Sequence, residues 1–238
     1  MENRKKQENF YPFEMDYLPD FFLEKTKKEL NEVPEQRTEK LRKFKEMLLT
    51  DKVLADIDFE DDFLWLFLRH TKHDASKALP FLRNFYLFRR NYSSLFQSVS
   101  DELFSTSPAT KVFSVLPNRT PDGCAVILIE LGKWDHDEFP LEDFKRMFLF
   151  MILQNLRCPV TQINGFKIIH DFQNTTVKHL KVCTPQNLYL EYHVGFKCIP
   201  GRYKEIHWIN GSALLTLLWS MAKHLLPKKM KERDPLIY

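Results

Sequence analysis

Apolar residues in the first ninety positions recur every three or four residues, which is the spacing of amphipathic helices. Asp58 and Asp74 stand just before two of these segments and can cap their first turns. Before residue 18 the chain shows no such periodicity and is expected to be irregular. The pattern predicts an N-terminal helical bundle, with helices over residues 18–32, 35–51, 58–71 and 74–90.

After residue 110 the pattern changes to short apolar runs that alternate with longer amphipathic segments. Residues 125–131 are continuously apolar, as in a strand covered on both faces. The alternation predicts an α/β layer whose strands pair mainly in parallel. The predicted strands are 111–116, 125–131, 166–172 and 205–210, and the predicted helices between them are 141–157 and 184–197. The expected organisation is an irregular segment at 1–17, a helical bundle at 18–98 and an α/β domain at 99–238.

Residues 210–233 carry a further helical pattern that is apolar nearly all round and ends in a basic tail. Such a helix is either buried or covers something with its second face. From the residues alone, both a core helix and a lid over an apolar ligand remain open.

Composition and motifs exclude several function classes. The net charge of +3 is too small to indicate general nucleic-acid binding. Six glycines and their spacing exclude the common nucleotide-phosphate loops, and the sequence has no nucleophile elbow or zinc-protease motif. The four cysteines lack metal-ligand spacing. We therefore expect no enzyme activity, no cofactor and no metal site. Without an apolar leader or a long apolar run, we expect a cytoplasmic protein.

Several blocks of the chain resemble one known family. They are FLRHTKHDASKALPFLRNFYLFRRNYSSLF at 67–96, LGKWD at 131–135, TQINGFKIIHDF at 161–172, HLKVCTP at 179–185, EIHWIN at 205–210 and KKMKER at 228–233. In this order and spacing the chain is similar to the CRAL-TRIO lipid-binding proteins, and among them to the alpha-tocopherol transfer and retinaldehyde-binding group. The resemblance implies an N-terminal helical bundle followed by an α/β domain with a mobile lid helix.

The resemblance also implies a cavity for one small hydrophobic molecule, such as tocopherol, a retinoid or a similar lipid. Burial of apolar surface supplies the affinity of such a cavity, and a few polar groups set orientation. His170, Cys183 and Tyr203 are the expected polar groups. The lining positions that the resemblance assigns are Phe148, Ile152, Phe166, His170, Cys183, Val194, Ile199, Tyr203, Ile206 and Leu214.

Ligand exchange in the resembled family takes place at membranes. The resemblance assigns the outward face of the lid to Leu215, Leu218 and Met221, while Leu214 faces inward. It assigns a headgroup site for phosphatidylinositol bisphosphate to Arg202, Lys204, Lys229 and Arg233. The implied partners are a lipid ligand and an anionic membrane surface that the protein binds peripherally, without nucleic acid.

The family pattern continues beyond KKMKER with a further strand, whereas this sequence stops at DPLIY. We therefore expect a C-terminally shortened domain with an open sheet edge. The principal hypothesis is a carrier that binds a hydrophobic ligand and exchanges it at phosphoinositide-containing membranes. The alternative is a lipid-sensing regulatory module that binds without transfer, and an enzyme acting on a lipid in the same cavity is a third hypothesis without sequence support.

Overall fold

The N-terminal half is built from helices whose apolar stripes meet. The computed structural model describes residues 11–15, 17–97, 109–182, 184–211, 220 and 224. Within these residues the N-terminal helices are α1 (Asp20–Leu30), α2 (Arg37–Leu49), α3 (Asp61–His70) and α4 (Ala75–Asn91), with 3-10 turns at Pro34–Gln36 and Ser93–Phe96.

A single apolar core joins α2, α3 and α4. Phe44, Leu64 and Leu82 are fully buried at its centre, at the helical spacing that the sequence showed. Asp74 caps α4 as predicted, since its carboxylate accepts from the Lys77 amide at 3.2 Å. The predicted cap at Asp58 is wrong, because the chain stays extended up to Glu60, which takes the N-cap position of α3.

The second half is an α/β layer. Its described strands are β2 (Phe113–Val115), β3 (Asn118–Arg119), β4 (Ala125–Glu130), β5 (Phe166–Asp171) and β6 (Tyr203–Ile209), and a short strand near the N-terminus is β1 (Tyr11–Pro12). The described helices of this half are α5 (Ala109–Val112), α6 (Leu141–Asn155), α7 (Pro159–Asn164), α8 (Val177–Leu180) and α9 (Pro185–His193). The main sheet has the order β2-β4-β5-β6, in which β4, β5 and β6 run parallel and β2 antiparallel to β4. The predicted helical bundle and mainly parallel α/β layer are thereby confirmed.

Three predicted boundaries need correction. The first strand is shorter than 111–116 because α5 occupies its start. The helix predicted over 184–197 ends at His193 and continues as a π-helix, Val194–Cys198. The first seventeen residues are not wholly irregular, since β1 pairs with β3. Among the described residues, β6 ends the sheet order, and none of the described helices is long and apolar enough to cross a membrane.

Helix α6 packs on one face of the sheet and forms the second core. Ile152 from α6 and Ile127 and Phe166 from the strands are fully buried. The register of the parallel strands puts Ala125, Ile127 and Ile129 beside Phe166, Ile168 and His170. We call the sheet face that carries these residues the α6 face. Because side chains alternate along a strand, Lys167 and Ile169 lie on the opposite face.

Helix α1 joins the two halves through polar contacts. Glu32, just beyond its end, accepts from Arg69 Nε at 2.8 Å and from Arg69 Nη2 at 2.5 Å, and Arg69 Nη1 donates to Gln162 of α7. Burial would raise the pKa of Glu32, but hydrogen bonds from Arg69 and His73 outweigh it and lower the pKa to about 2. The Arg69 guanidinium therefore links α1, α3 and α7 at one point.

Replacing Glu32 with Gln should lower the free energy of unfolding by about 3 kcal/mol, because it leaves the buried Arg69 charge without a carboxylate. Since the folded pKa lies below the ordinary 4.5, the stabilisation is present above that pH and lost as pH falls toward 2. Urea unfolding between pH 3 and 7 checks both effects. Glu39→Gln is the matched control, because Glu39 pairs with Arg42 on the exposed side of α2. Equal stability of the two variants would contradict the assignment.

Candidate functional site

The α6 face of β5 and β6 holds four of the eight predicted ligand-lining residues that the structure describes, namely Phe166, His170, Tyr203 and Ile206. Phe166 pairs with Tyr203, and Ile168 with Ile206, in the register of the two strands. The rings of Phe166 and Tyr203 stack at a centroid distance of 5.9 Å. Parallel pairing thus gathers residues that are about forty positions apart in the chain into one apolar surface.

The predicted lining residues divide into two groups by exposure. Ile152, Phe166 and Ile199 are buried at 0%, 0% and 1% accessibility and act as core. The others that the structure describes keep accessible surface, namely Phe148, His170, Val194, Tyr203 and Ile206. Of these, Phe148, Val194 and Tyr203 pack against that core. Cys183 and Leu214 lie outside the described residues, so their predicted role is unchanged.

Two polar side chains stand on this apolar surface. Burial lowers the pKa of His170 to about 4, so the imidazole is neutral at neutral pH. Its ring stacks on Trp208 at 6.3 Å. The Tyr203 hydroxyl is buried and has no hydrogen-bond partner among the described residues, and burial raises its pKa. Both groups match the predicted use of a few polar atoms to orient an apolar ligand.

Glu191 on α9 is a further polar group that the sequence reasoning missed. The residue is exposed, yet the protein around it raises the pKa of its carboxyl to about 7 by desolvation, against the effect of Lys145. Lys145 shares a face of α6 with Phe148 and Ile152 by helical spacing. The available signal was one acid in the otherwise apolar and aromatic stretch LYLEYHV.

A cavity of about 410 Å³ lies on the other flank of α6, beside strand β2. Phe13, Phe113, Met147 and Met151 contribute to its wall. It contains none of the predicted ligand-lining residues, so it does not mark the predicted ligand site.

Arg202 and Lys204 lie together at the start of β6, where the predicted headgroup site begins. The Arg202 Nη1 donates to the Ile163 carbonyl, and its Nη2 lies 3.4 Å from Glu29 Oε2. Lys204 Nζ lies 3.6 Å from the same oxygen. Arg202 therefore also has a structural role between α1, α7 and the sheet. Lys229 and Arg233 lie outside the described residues, as do the predicted lid residues Leu215, Leu218 and Met221.

Gly165 and a strand irregularity position this basic pair. Gly165 has φ +88°, and a Cβ added to it would lie 2.0 Å from the Arg202 carbonyl oxygen. The amide of the next residue, Phe166, donates to that same carbonyl at 2.8 Å. The pairing shifts between Phe166 and Lys167, which leaves Lys204 as an extra residue in β6. The backbone at Gly165 thus fixes the position of Arg202, which directly precedes β6.

Gly165→Ala should lower the free energy of unfolding by about 2 kcal/mol or more, because it adds both a steric clash and an unfavourable positive φ. Gly195→Ala is the control, since the nearest atom to its added Cβ is 4.0 Å away. Thermal and urea unfolding of the two variants measure the difference. A Gly165→Ala protein as stable as Gly195→Ala would contradict the packing described here.

The chain is similar to known proteins over most of its length. Residues 109–234 match the family model described as CRAL/TRIO domain. Human Clavesin-2 is 26% identical over 219 residues, which cover 89% of this chain and 65% of that protein. Human alpha-tocopherol transfer protein-like is 25% identical over 219 residues, covering 91% and 63%. The chain thus spans about two thirds of the length of these relatives. The crystal structure of Sfh5 has the same fold, with a TM-score of 0.53, 14% identity and coverage of 94% and 82%.

Proposed function

Because the chain belongs to the CRAL/TRIO domain family, we propose that it is a lipid carrier rather than an enzyme. It binds one small hydrophobic molecule, such as tocopherol, a retinoid or a similar lipid, and exchanges it at phosphoinositide-containing membranes. The observation that carries this proposal is the family match over the α/β half, where accessible apolar side chains converge on the α6 face. The relative named as alpha-tocopherol transfer protein-like supports the transfer step.

The ligand chemistry follows from the side chains on the α6 face. Phe148, Val194 and Ile206 offer apolar surface, and burying it provides about 25 cal/mol per Å². A neutral His170 and the Tyr203 hydroxyl, for which the described part of the chain supplies no partner, offer hydrogen bonds to a single polar group. This set favours a lipophile with one hydroxyl or carbonyl group.

Membrane exchange follows from basic residues in two parts of the sequence. Arg202 and Lys204 lie at the start of β6, and Lys229 and Arg233 lie at the end of the last helical stretch. Each basic residue near an anionic leaflet contributes about 1 kcal/mol of attraction. We therefore place the working protein in the cytoplasm, peripherally bound to membranes that contain phosphatidylinositol bisphosphate.

Transfer of a fluorescent retinoid or tocopherol between vesicles tests the proposal. The wild-type protein should speed transfer to acceptor vesicles that contain phosphatidylinositol bisphosphate, and Lys204→Gln should slow it by about fivefold, as expected for the loss of about 1 kcal/mol. Lys204 is used because Arg202 also holds Ile163.

Lys133→Gln is the matched control for this assay. Lys133 pairs with Glu130 at the end of β4, at the opposite end of the parallel strands from Lys204. The Lys133→Gln variant should transfer ligand at the wild-type rate. Binding of ligand without any acceleration of transfer would contradict the carrier function and favour a lipid-sensing module.

A further inference from the structure

Glu29 of α1 lies in the middle of the basic residues at the start of β6. Its Oε2 is 3.4 Å from Arg202 Nη2 and 3.6 Å from Lys204 Nζ. Burial alone would raise the pKa of Glu29, but the charges of Lys204, Lys25 and Arg202 together lower it. One carboxylate oxygen therefore accepts from Arg202 and forms an ion pair with Lys204, the two cations that are predicted to hold a headgroup phosphate.

The Glu29 carboxylate resembles a phosphate group, because both are anions whose oxygens accept hydrogen bonds, but the carboxylate carries less negative charge. A phosphate presents more acceptor oxygens and more negative charge than a carboxylate, so it competes well for the same arginine and lysine. Asp122 and Glu205 are paired with Lys167 at 3.5 Å and 3.1 Å. Glu29 is the carboxylate that lies against both Arg202 and Lys204, so a phosphate that binds these two side chains there has to displace it.

The Glu29 side chain can leave without displacing α1. It is 41% exposed, so a rotamer change takes it into solvent. Helix α1 stays attached through other contacts, because Lys25 Nζ donates to the Asp122 carbonyl at 2.9 Å and to Asn164 Oδ1 at 2.7 Å. Phe22 is fully buried at the same interface.

We propose that Glu29 is an internal competitor for the headgroup site, whose carboxylate holds Arg202 and Lys204 until a phosphate of a membrane phosphoinositide replaces it. The inference rests on the proposed function and adds a regulatory element to it. In the absence of a phosphorylated headgroup, Glu29 cancels one of the two positive charges of the basic pair, which lowers attraction to membranes that carry only singly charged lipids.

Removing the charge of Glu29 tests this. Glu29→Gln should bind vesicles containing phosphatidylinositol bisphosphate about three- to tenfold more tightly than the wild type, as expected for loss of one partly exposed ion pair. Its binding to vesicles with phosphatidylserine alone should also rise. Glu24→Gln is the control, because Glu24 sits on the same helix but pairs with Lys28 in solvent, where the two side chains are 70% and 76% exposed.

The outcomes separate this inference from the proposed function. If Lys204→Gln weakens vesicle binding while Glu29→Gln binds like the wild type or more weakly, the competitor role is refuted and the carrier proposal stands. If Lys204→Gln and the wild type bind phosphoinositide vesicles alike, the headgroup site itself is refuted.

A measurement on the wild-type protein tests the proposal even if the Glu29→Gln variant does not fold. The carboxyl ¹³C resonance of Glu29 reports its pKa, which the cations hold below its ordinary value of 4.5. Adding a soluble short-chain phosphatidylinositol bisphosphate should raise that pKa, because the phosphate takes the cations away. Inositol bisphosphate without a lipid tail, added in parallel, shows whether the headgroup alone is enough to raise the Glu29 pKa. An unchanged Glu29 pKa with bound headgroup would overturn the proposal.

Discussion

One buried guanidinium fixes the C-terminal end of α1 against the rest of the protein. Arg69 leaves the end of α3 and is shared between Glu32, which follows α1, and Gln162 of α7. A buried ion pair of this kind adds little net stability compared with apolar packing, but breaking it leaves a costly unpaired charge. It therefore fixes the position of α1 more than it adds to stability, and α1 carries the residues that reach the start of β6.

From this attachment the geometry of the basic pair follows. Helical spacing puts Lys25 and Glu29 along one side of α1. Lys25 contacts the loop before β4 and the end of α7, and Glu29 contacts Arg202 and Lys204. Gly165 fixes the backbone of Arg202 from the other side. The α6 face and the basic pair share backbone contacts at this point, because the Phe166 amide donates to the Arg202 carbonyl.

Sequence reasoning predicted those parts of the protein in which burial follows a simple period. The cores of α2 to α4 and the parallel strands β4 to β6 have apolar residues at helical or strand spacing, and these elements are where the pattern put them. The polar side of α1 was not predicted, because a charge that pairs across the fold looks the same in sequence as a solvated one. The π-helix after His193 spans only five residues, too few to show a period of their own in the sequence. The raised pKa of Glu191 could not be found from the pattern either, since it arises from the protein packed around the carboxyl.

Native mass spectrometry of the purified full chain, followed by extraction and identification of any bound lipid, tests the central claim of a lipid carrier most directly. The account predicts one lipophile per chain, with a mainly apolar body and one hydroxyl or carbonyl group. A protein that folds but carries no lipophile, and takes none up from retinoid, tocopherol or mixed-lipid vesicles, would contradict it.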